Sequence, residues 1–423
     1  MRILIAGQTY APAFNGQAVF TTNLAQGLAA RGHQVLVLLP SDRVRPYRCQ
    51  RQGVTLHYLP SLPLWMFHSD TNATLLARPL VEPIFRRFRP QLVHVQDHYP
   101  LSRSVVKVAR ASNVPTLGTN HFMPENLAPY IPFSTQAKPL FDWAMWKILV
   151  DFFNRLDMAT APSVTAARIL RQQGLQVPVH PVSCGVPLER FHPDPGLDRE
   201  AVRRRFGLDP AAITFLFVGR VDAEKRLDVL LRALPELGRE DVQLAIAGQG
   251  EALGELKRLA SQLGQTDRVH FLGFVADEEL PALLNSVDLF AMPSEAELLS
   301  IATLEAMAAG RPVLAARAQA LPELVEPGRN GYLFRPGDPG DAARFMAELV
   351  DHPQRWAAMG QASQERAWQH SLENTVTRYE GLYQQLLTTV PRLQPVYPRL
   401  RPQGLLGRLM RGRIQEVMDQ LWR

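Results

Sequence analysis

Short unbroken runs of apolar residues recur along this chain of 423 residues. Each is followed by a longer stretch whose apolar positions fall three and four apart. In the first half the runs are RILIAG, QVLVLLP, VTLHYL, LVHVQD, PTLGTNH and MATAPS. In the second half they are ITFLFVG, VQLAIAG, VHFLGF, LFAMPS, PVLAA and GYLF. Runs of this length without alternation predict strands buried on both faces, and the periodic stretches predict the helices that cover them. Their regular succession predicts an α/β fold with parallel sheets. Between the halves, VSCGVPLERFHPDPGLD is rich in Pro and Gly and predicts a hinge. A helical pattern returns from about Leu372 to Leu387. The expected division is a first domain over 1–186, a second over 187–371, and a last helix with a basic tail over 372–423. Each of the two domains is Rossmann-like, and a ligand is expected in the cleft between them.

One helix start carries more chemistry than the rest. In SEAELLSIATLEAMAAGRPV, Ser294–Val313, the residues Ile301, Leu304, Met307 and Ala308 recur at helical spacing, and Gly310 marks the stop. The helix is expected to begin near Ser300. Its first N–H groups lack intrahelical partners and its dipole favours negative charge, so Leu299, Ser300 and Ile301 frame an anion site. Glu297 and Glu305 flank that start. Carboxylates cannot bind a phosphate, but they can accept hydrogen bonds from hydroxyls carried with it, as on a hexose and a ribose. Either one alone would also fit a surface carboxylate placed near a helix start.

Arg220 and Lys225 follow the run ITFLFVG directly, on a loop at the C-terminal end of a predicted parallel strand. Two cations there suit a diphosphate, and equally suit pairing with Asp222, Glu224 or Asp228. Gly248 and Gly250 make a G-x-G turn, but no acidic residue stands where a dinucleotide-binding unit needs one, which excludes an NAD-dependent oxidoreductase. Gly248 reads instead as a close approach of backbone. No D-x-D occurs, so no ligand pair for a metal-bridged diphosphate is expected and no metal or other cofactor is implied.

These segments resemble family 4 of the GT-B retaining glycosyltransferases, over nearly all of 1–387. Glu297 and Glu305 match its E-x7-E signature. The resemblance implies a nucleotide diphosphosugar donor, with Arg220 and Lys225 stabilising the leaving diphosphate and Glu297 and Glu305 holding sugar and ribose. It assigns Gly248, Phe274 and Val275 to the donor site as well, Phe274 also reading as a core aromatic. In the first domain it assigns Gly16, where the family has two glycines and this chain has Asn15-Gly16, and His121, which ends PTLGTNH against the transferred sugar. Asp97, His98 and Asn126 are expected on the acceptor side, and His33 as a structural residue. A sugar-nucleotide-binding protein without catalysis is the other class weighed, and the intact set Glu297, Arg220, Lys225 and His121 argues against it.

GTNHFMPENL and AELLSIATLEAMA resemble the branch that glucosylates diacylglycerol. The expected reaction is therefore transfer of glucose from UDP-glucose to a lipid such as 1,2-diacylglycerol. The alternative is transfer to a soluble or polyisoprenoid-linked glycan acceptor. LPLWMF (62–67), PIFRRFRP (83–90) and FDWAMWKILVDFF (141–153) are apolar or cationic clusters that fit a lipid acceptor, the last reading better as a buried helix.

Composition fits a globular protein, with 46% hydrophobic and 20% charged residues. Cys49 and Cys184 imply no disulfide framework. No apolar run reaches a spanning length, and the opening run is strand-like, so a cytoplasmic protein is expected, or one on the inner membrane face. The net charge is +6, and from Pro391 to Arg423 seven arginines stand against Glu416 and Asp419, so the excess is expected mostly in the tail. Leu406, Met410, Ile414, Val417 and Leu421 there share a sector of roughly 80° at helical spacing. That stripe suits either an anionic membrane face or packing on the first domain. No nucleic-acid-binding motif accompanies the charge.

Overall fold

A computed structural model describes residues 1–11, 15–63, 72–74, 77–124, 138–389 and 404–422. They form two compact units. Described residues up to Ser183 and from Thr375 onward make the first, and Cys184–Asn374 make the second.

The first unit runs β1 (Arg2–Ala6), α1 (Gly16–Ala30), β2 (Gln34–Pro40), β3 (Tyr47–Arg51), β4 (Val54–Leu59), the short pair β5 (Leu62–Pro63) and β6 (Asn72–Ala73), α2 (Arg78–Phe88) and β7 (Leu92–Val95). It continues through α3 (Pro100–Ala111), β8 (Thr116–Thr119), α4 (Lys138–Phe153), β9 (Met158–Ala161), α5 (Val164–Gln172) and β10 (Val179–Pro181). The sheet order is β10-β9-β8-β7-β1-β2-β4-β3. Every pairing is parallel except β3 with β4. The six apolar runs expected in this half are β1, β2, β4, β7, β8 and β9. Ile3, Leu4, Ile5 and Ala6 are fully buried, as the unbroken run requires. β3 escaped the pattern because YRCQR is a polar edge strand.

Right-handed crossovers fix the helix layers. The chain steps from β1 to β2 in one direction and from β7 to β10 in the other, so α1 lies on one face and α3, α4 and α5 on the opposite one. α2 packs against α3, and Arg103 of α3 donates to the Ile148 carbonyl of α4 at 3.1 Å.

The second unit runs α6 (Arg199–Arg205), β11 (Ile213–Val218), α7 (Leu227–Glu236), β12 (Val242–Ala247), α8 (Leu253–Gln262), β13 (Val269–Gly273), α9 (Leu280–Ser286), β14 (Leu289–Met292) and α10 (Ile301–Ala308). It ends with β15 (Val313–Ala316), α11 (Leu321–Leu324), β16 (Gly331–Phe334), α12 (Pro339–Val350) and α13 (Trp356–Gln369). Its sheet is wholly parallel, in the order β13-β12-β11-β14-β15-β16. The order reverses between β11 and β14; the loops leaving these two neighbours carry Arg220, Lys225, Glu297, Leu299 and Ser300, while Gly248 follows β12 and Phe274 follows β13.

Two C-terminal helices complete the first unit, α14 (Leu372–Thr389) and α15 (Gly404–Trp422). Tyr379 and Tyr383 of α14 are fully buried. His94 on β7 shares hydrogen bonds with Tyr383 Oη at 2.8 Å and Thr119 Oγ1 at 2.7 Å, and Tyr379 Oη reaches Thr119 and Thr160 at 3.1 Å each. Burial holds the His94 imidazole well below its ordinary value, so it serves there as a neutral partner. His33 joins the same helix to the β1 end, at 2.7 Å from Glu380 and 2.9 Å from the Met1 nitrogen, the structural role expected of it.

The last turns of α15 pack on α2, β3 and β4. Met418 and Leu421 are buried, Trp422 stands edge-on to His57 at 4.9 Å, and Arg87 caps the Trp422 ring at 4.3 Å. Of the two expectations for the tail stripe, packing on the first unit is what its described C-terminal half does. The side chains of Leu406 and Met410 lie outside the described residues.

Candidate active site

In the second unit the chemistry gathers at the β11 and β14 loop ends. Lys225 and Glu297, 72 residues apart, form an ion pair of 2.6 Å with side chains 14% and 13% exposed. Arg220 turns to Asp222 and to Glu224, the latter at 2.5 Å. Asp222 also accepts from the Glu251 amide at 3.2 Å, so it ties the Arg220 loop to the G-x-G turn. Glu224 keeps one buried oxygen without a hydrogen-bond partner among the described residues, and burial raises its carboxyl above the usual range. Arg226 bonds Glu295 at 2.6 Å and Asp228 at 3.1 Å. Pairing of the loop cations with neighbouring acids is thus present, and Lys225 reaches across to the E-x7-E segment besides.

Gly248 has φ +149°, and a Cβ there would stand 1.8 Å from the Gly219 carbonyl oxygen. Only glycine fits that approach. Two strands along, α10 begins at Ile301, with Ser300 as its cap: Ser300 Oγ accepts from the Thr303 amide at 3.3 Å. Ser300 sits at φ +101°, a conformation costly for any residue with a Cβ. Gly310, at φ +74°, ends the helix as expected. Leu299 is buried and Ile301 half-buried.

Glu305, within α10, is the most perturbed acid of this unit: burial pushes its carboxyl up to about 8, with the Arg190 charge pulling the other way. Arg190 is itself held by Asp277 at 2.8 Å. Phe274, half exposed rather than a core aromatic, and Val275 follow β13.

In the first unit, Gly16 opens α1, and Asn15 in place of a second glycine is its cap, accepting from the Ala18 amide at 2.9 Å. His121 lies just past β8, stacked obliquely on Phe20 at 4.7 Å. Its Nε2 is 3.1 Å from the Gln96 amide oxygen, so the ring donates from Nε2 and keeps its lone pair on Nδ1. Burial lowers this imidazole to about 3, so it is neutral near pH 7. Gln96 was not anticipated from sequence. Its Nε2 is buried with no partner among the described residues.

Asp97 is occupied. Its carboxylate accepts from the Tyr99 amide at 3.0 Å, Ser102 Oγ at 2.7 Å and Gln17 Nε2 at 3.2 Å. That makes it a tie between the β7 end, α3 and α1. His98 is buried against Tyr99 and Phe122, its imidazole lowered by burial to about 4. Asn126 lies outside the described residues. Among the described residues no group of three or more His, Cys, Asp or Glu is placed to hold a metal ion, and no helix is long and apolar enough to cross a membrane.

Residues 14–190 match the family described as Glycosyltransferase Family 4, and residues 198–366 the one described as Glycosyl transferases group 1. The chain is 32% identical over 326 residues to D-inositol 3-phosphate glycosyltransferase 2 of Catenulispora acidiphila, covering 74% of each chain. It is 26% identical to the alpha-monoglucosyldiacylglycerol synthase of Streptococcus pneumoniae, over 84% of this chain and 79% of that one. Among solved structures, HepE of Anabaena in complex with UDP superposes with a TM-score of 0.73 at 21% identity, over 91% of this chain and 100% of that one. Two units, each with a Rossmann-like sheet, match the GT-B fold of glycosyltransferases, and the matching families are those of its retaining members. The chain belongs to glycosyltransferase family 4. The relatives do not single out the diacylglycerol branch within it.

Proposed function

We propose that this enzyme transfers a hexose from a UDP-sugar to an acceptor hydroxyl, with the donor held by the second unit. The observation that carries this reading is the Lys225–Glu297 ion pair beside Arg220, at the reversal point of a parallel sheet. Cleavage of the sugar–diphosphate bond leaves growing negative charge on the diphosphate. Fixed cations held in place before reaction stabilise that charge without reorganising. Glu297 keeps Lys225 positioned and offers its other oxygen to a sugar hydroxyl. Glu305 meets the ribose hydroxyls, and neutral His121 can accept from a hexose hydroxyl through Nδ1.

For the acceptor, the relatives favour a soluble molecule over diacylglycerol: the one more identical to this chain is named for D-inositol 3-phosphate. A lipid acceptor remains the second reading, supported by the glycolipid synthase relative and by an exposed apolar helix face on the first unit. A panel of UDP-, GDP- and ADP-sugars, each offered with inositol phosphates and with diacylglycerol vesicles, decides both points by mass spectrometry of the products. UDP-dependent product with one acceptor class is the expected result. Hydrolysis or no turnover with every UDP-sugar would refute the donor assignment.

A further inference from the structure

The aromatic helix FDWAMWKILVDFF reads from sequence as buried, and the structure makes it only half so. In α4 one face is buried: Trp146, Leu149, Val150 and Phe153 pack inward. The other face carries Leu140, Trp143 and Ile148 at 67%, 59% and 48% exposure, spaced as i, i+3 and i+8 along one stripe. Lys147 lies in the same stripe, its ammonium 5.1 Å from the Trp143 ring, and exposed Asp151 follows it there, its charge met by Arg155 at 2.7 Å. A helix apolar on both sides, one of them facing out, has a surface in search of an apolar medium.

The surroundings say which medium. α3, α4 and α5 share one face of the first unit. α3 and α5 contain no acidic residue, and on them Lys107, Arg110, Arg168 and Arg171 are exposed. None of these four, nor Lys147, stands in an ion pair among the described residues. Outside residues 184–374 and the tail, the chain has 19 Lys and Arg against 9 Asp and Glu. The excess, expected mostly in the tail, is thus larger in the rest of the chain outside 184–374, and part of it stands on α3 and α5.

We propose that the exposed face of α4, flanked by the cations of α3 and α5, docks on an anionic lipid bilayer. Trp143 would sit at headgroup depth with Lys147 snorkelling beside it, and Leu140 and Ile148 would enter the acyl boundary. A second copy of the same cationic face is disfavoured by repulsion. The inference goes beyond the transferase reading and stands on the first unit's surface alone, so it is tested without donor or acceptor.

The experiment is co-sedimentation of the full chain with phosphatidylglycerol-containing or pure phosphatidylcholine vesicles. The wild type should pellet with the anionic vesicles and be released by salt. Leu140→Ser/Trp143→Ser/Ile148→Ser should lower partitioning at least about tenfold, and Lys107→Glu/Arg110→Glu/Lys147→Glu should remove the preference for anionic lipid. Trp368→Ala, at an equally exposed tryptophan of the second unit, should change nothing. A folded apolar-face variant that pellets like wild type overturns the proposal. So does a wild type that dimerises through this face by ultracentrifugation, or one that binds single-stranded DNA with the same salt dependence whether or not the apolar triad is intact. Should the triple variant misfold, Ile148→Cys in a Cys49→Ser background carries a polarity-sensitive fluorophore. Cys184 stays unlabelled there, being buried with its thiol pushed up to about 12. A blue shift on adding anionic vesicles is expected, and an unchanged spectrum overturns the docking.

Discussion

The two units share a strand–helix plan and differ in how they spend their charges. Residues 184–374 hold 20 Lys and Arg against 29 Asp and Glu; the rest of the chain holds 26 against 11. In the second unit many arginines are locked to acids, such as Arg203 to Asp288 at 2.6 Å and Arg239 to Asp241 and Asp351 at 2.6 and 2.8 Å. In the first, several cations face outward unpaired. A unit that must hold a diphosphate needs cations fixed by acidic neighbours, because fixed groups stabilise developing charge without rearrangement. A surface meant for a broad anionic partner needs cations left free. On the two proposals made above, one fold serves two electrostatic purposes, and the difference lies in side chains on its loops and helices.

The sharpest way to break this comparison is to remove the fixed charges. Arg220→Ala and Glu297→Ala should each lose about 2–4 kcal/mol in kcat/KM, the scale of one charge-stabilising group. Glu297→Ala should act mainly on kcat, since its lost contacts concern the reacting sugar. Steady-state kinetics near wild type for both variants would sink the assignment of this cluster. Glu305→Ala should raise the donor KM instead and leave kcat nearly unchanged, if it holds only the ribose in ground and transition states alike.

The first unit should respond in stability more than in chemistry. Tyr383→Phe leaves the His94 ring nitrogen at 2.8 Å without its partner inside the core, at a cost of about 1–3 kcal/mol in a denaturant melt. Unaltered stability would mean that water takes the place of the hydroxyl.

Glu305 gives a pH test of the second unit. Its folded carboxyl is raised to about 8 from an ordinary value of 4.5, so between those limits the folded state holds a proton the unfolded state has released. Stability should therefore fall as pH rises through that window. Glu305→Gln should remove this contribution, so its melting temperature relative to wild type should be higher at pH 8 than at pH 5. An equal difference at both values would show that Arg190 keeps the carboxylate ionised.

The fold was legible because parallel strands buried on both faces write themselves as unbroken apolar runs, and twelve such runs became strands. The polar edge strand β3 wrote no such run. The donor cluster was legible in its parts but not in its pairing: nothing in spacing could join Lys225 to Glu297 across 72 positions, or bring Arg190 to Glu305. Asp97 read as an acceptor-side candidate because an acid that ties its strand to the next helix and one that meets a ligand look alike at the end of a strand. α4 misled for a simpler reason. Its outer stripe is marked only by Lys147 and Asp151 among large apolar residues, too weak a polar signal to tell an exposed face from a buried one.

The smallest expected effect is that of chelation, and it bears on the same comparison. If the paired cations of the second unit supply the positive field, activity in EDTA should equal activity without it. The argument rests on charge: Arg220 and Lys225 bring two positive groups to the β11 loop end, and the α10 start adds the partial charge of its unpaired N–H groups. A divalent ion bridging the diphosphate would do the same work by another route, and would need carboxylates not already committed to arginine or lysine. At this loop end Asp222 and Glu224 hold Arg220, and Glu297 holds Lys225. Loss of turnover in EDTA, restored by Mg²⁺ or Mn²⁺, would show that these ion pairs open to admit a metal and that the cations alone do not carry the leaving group.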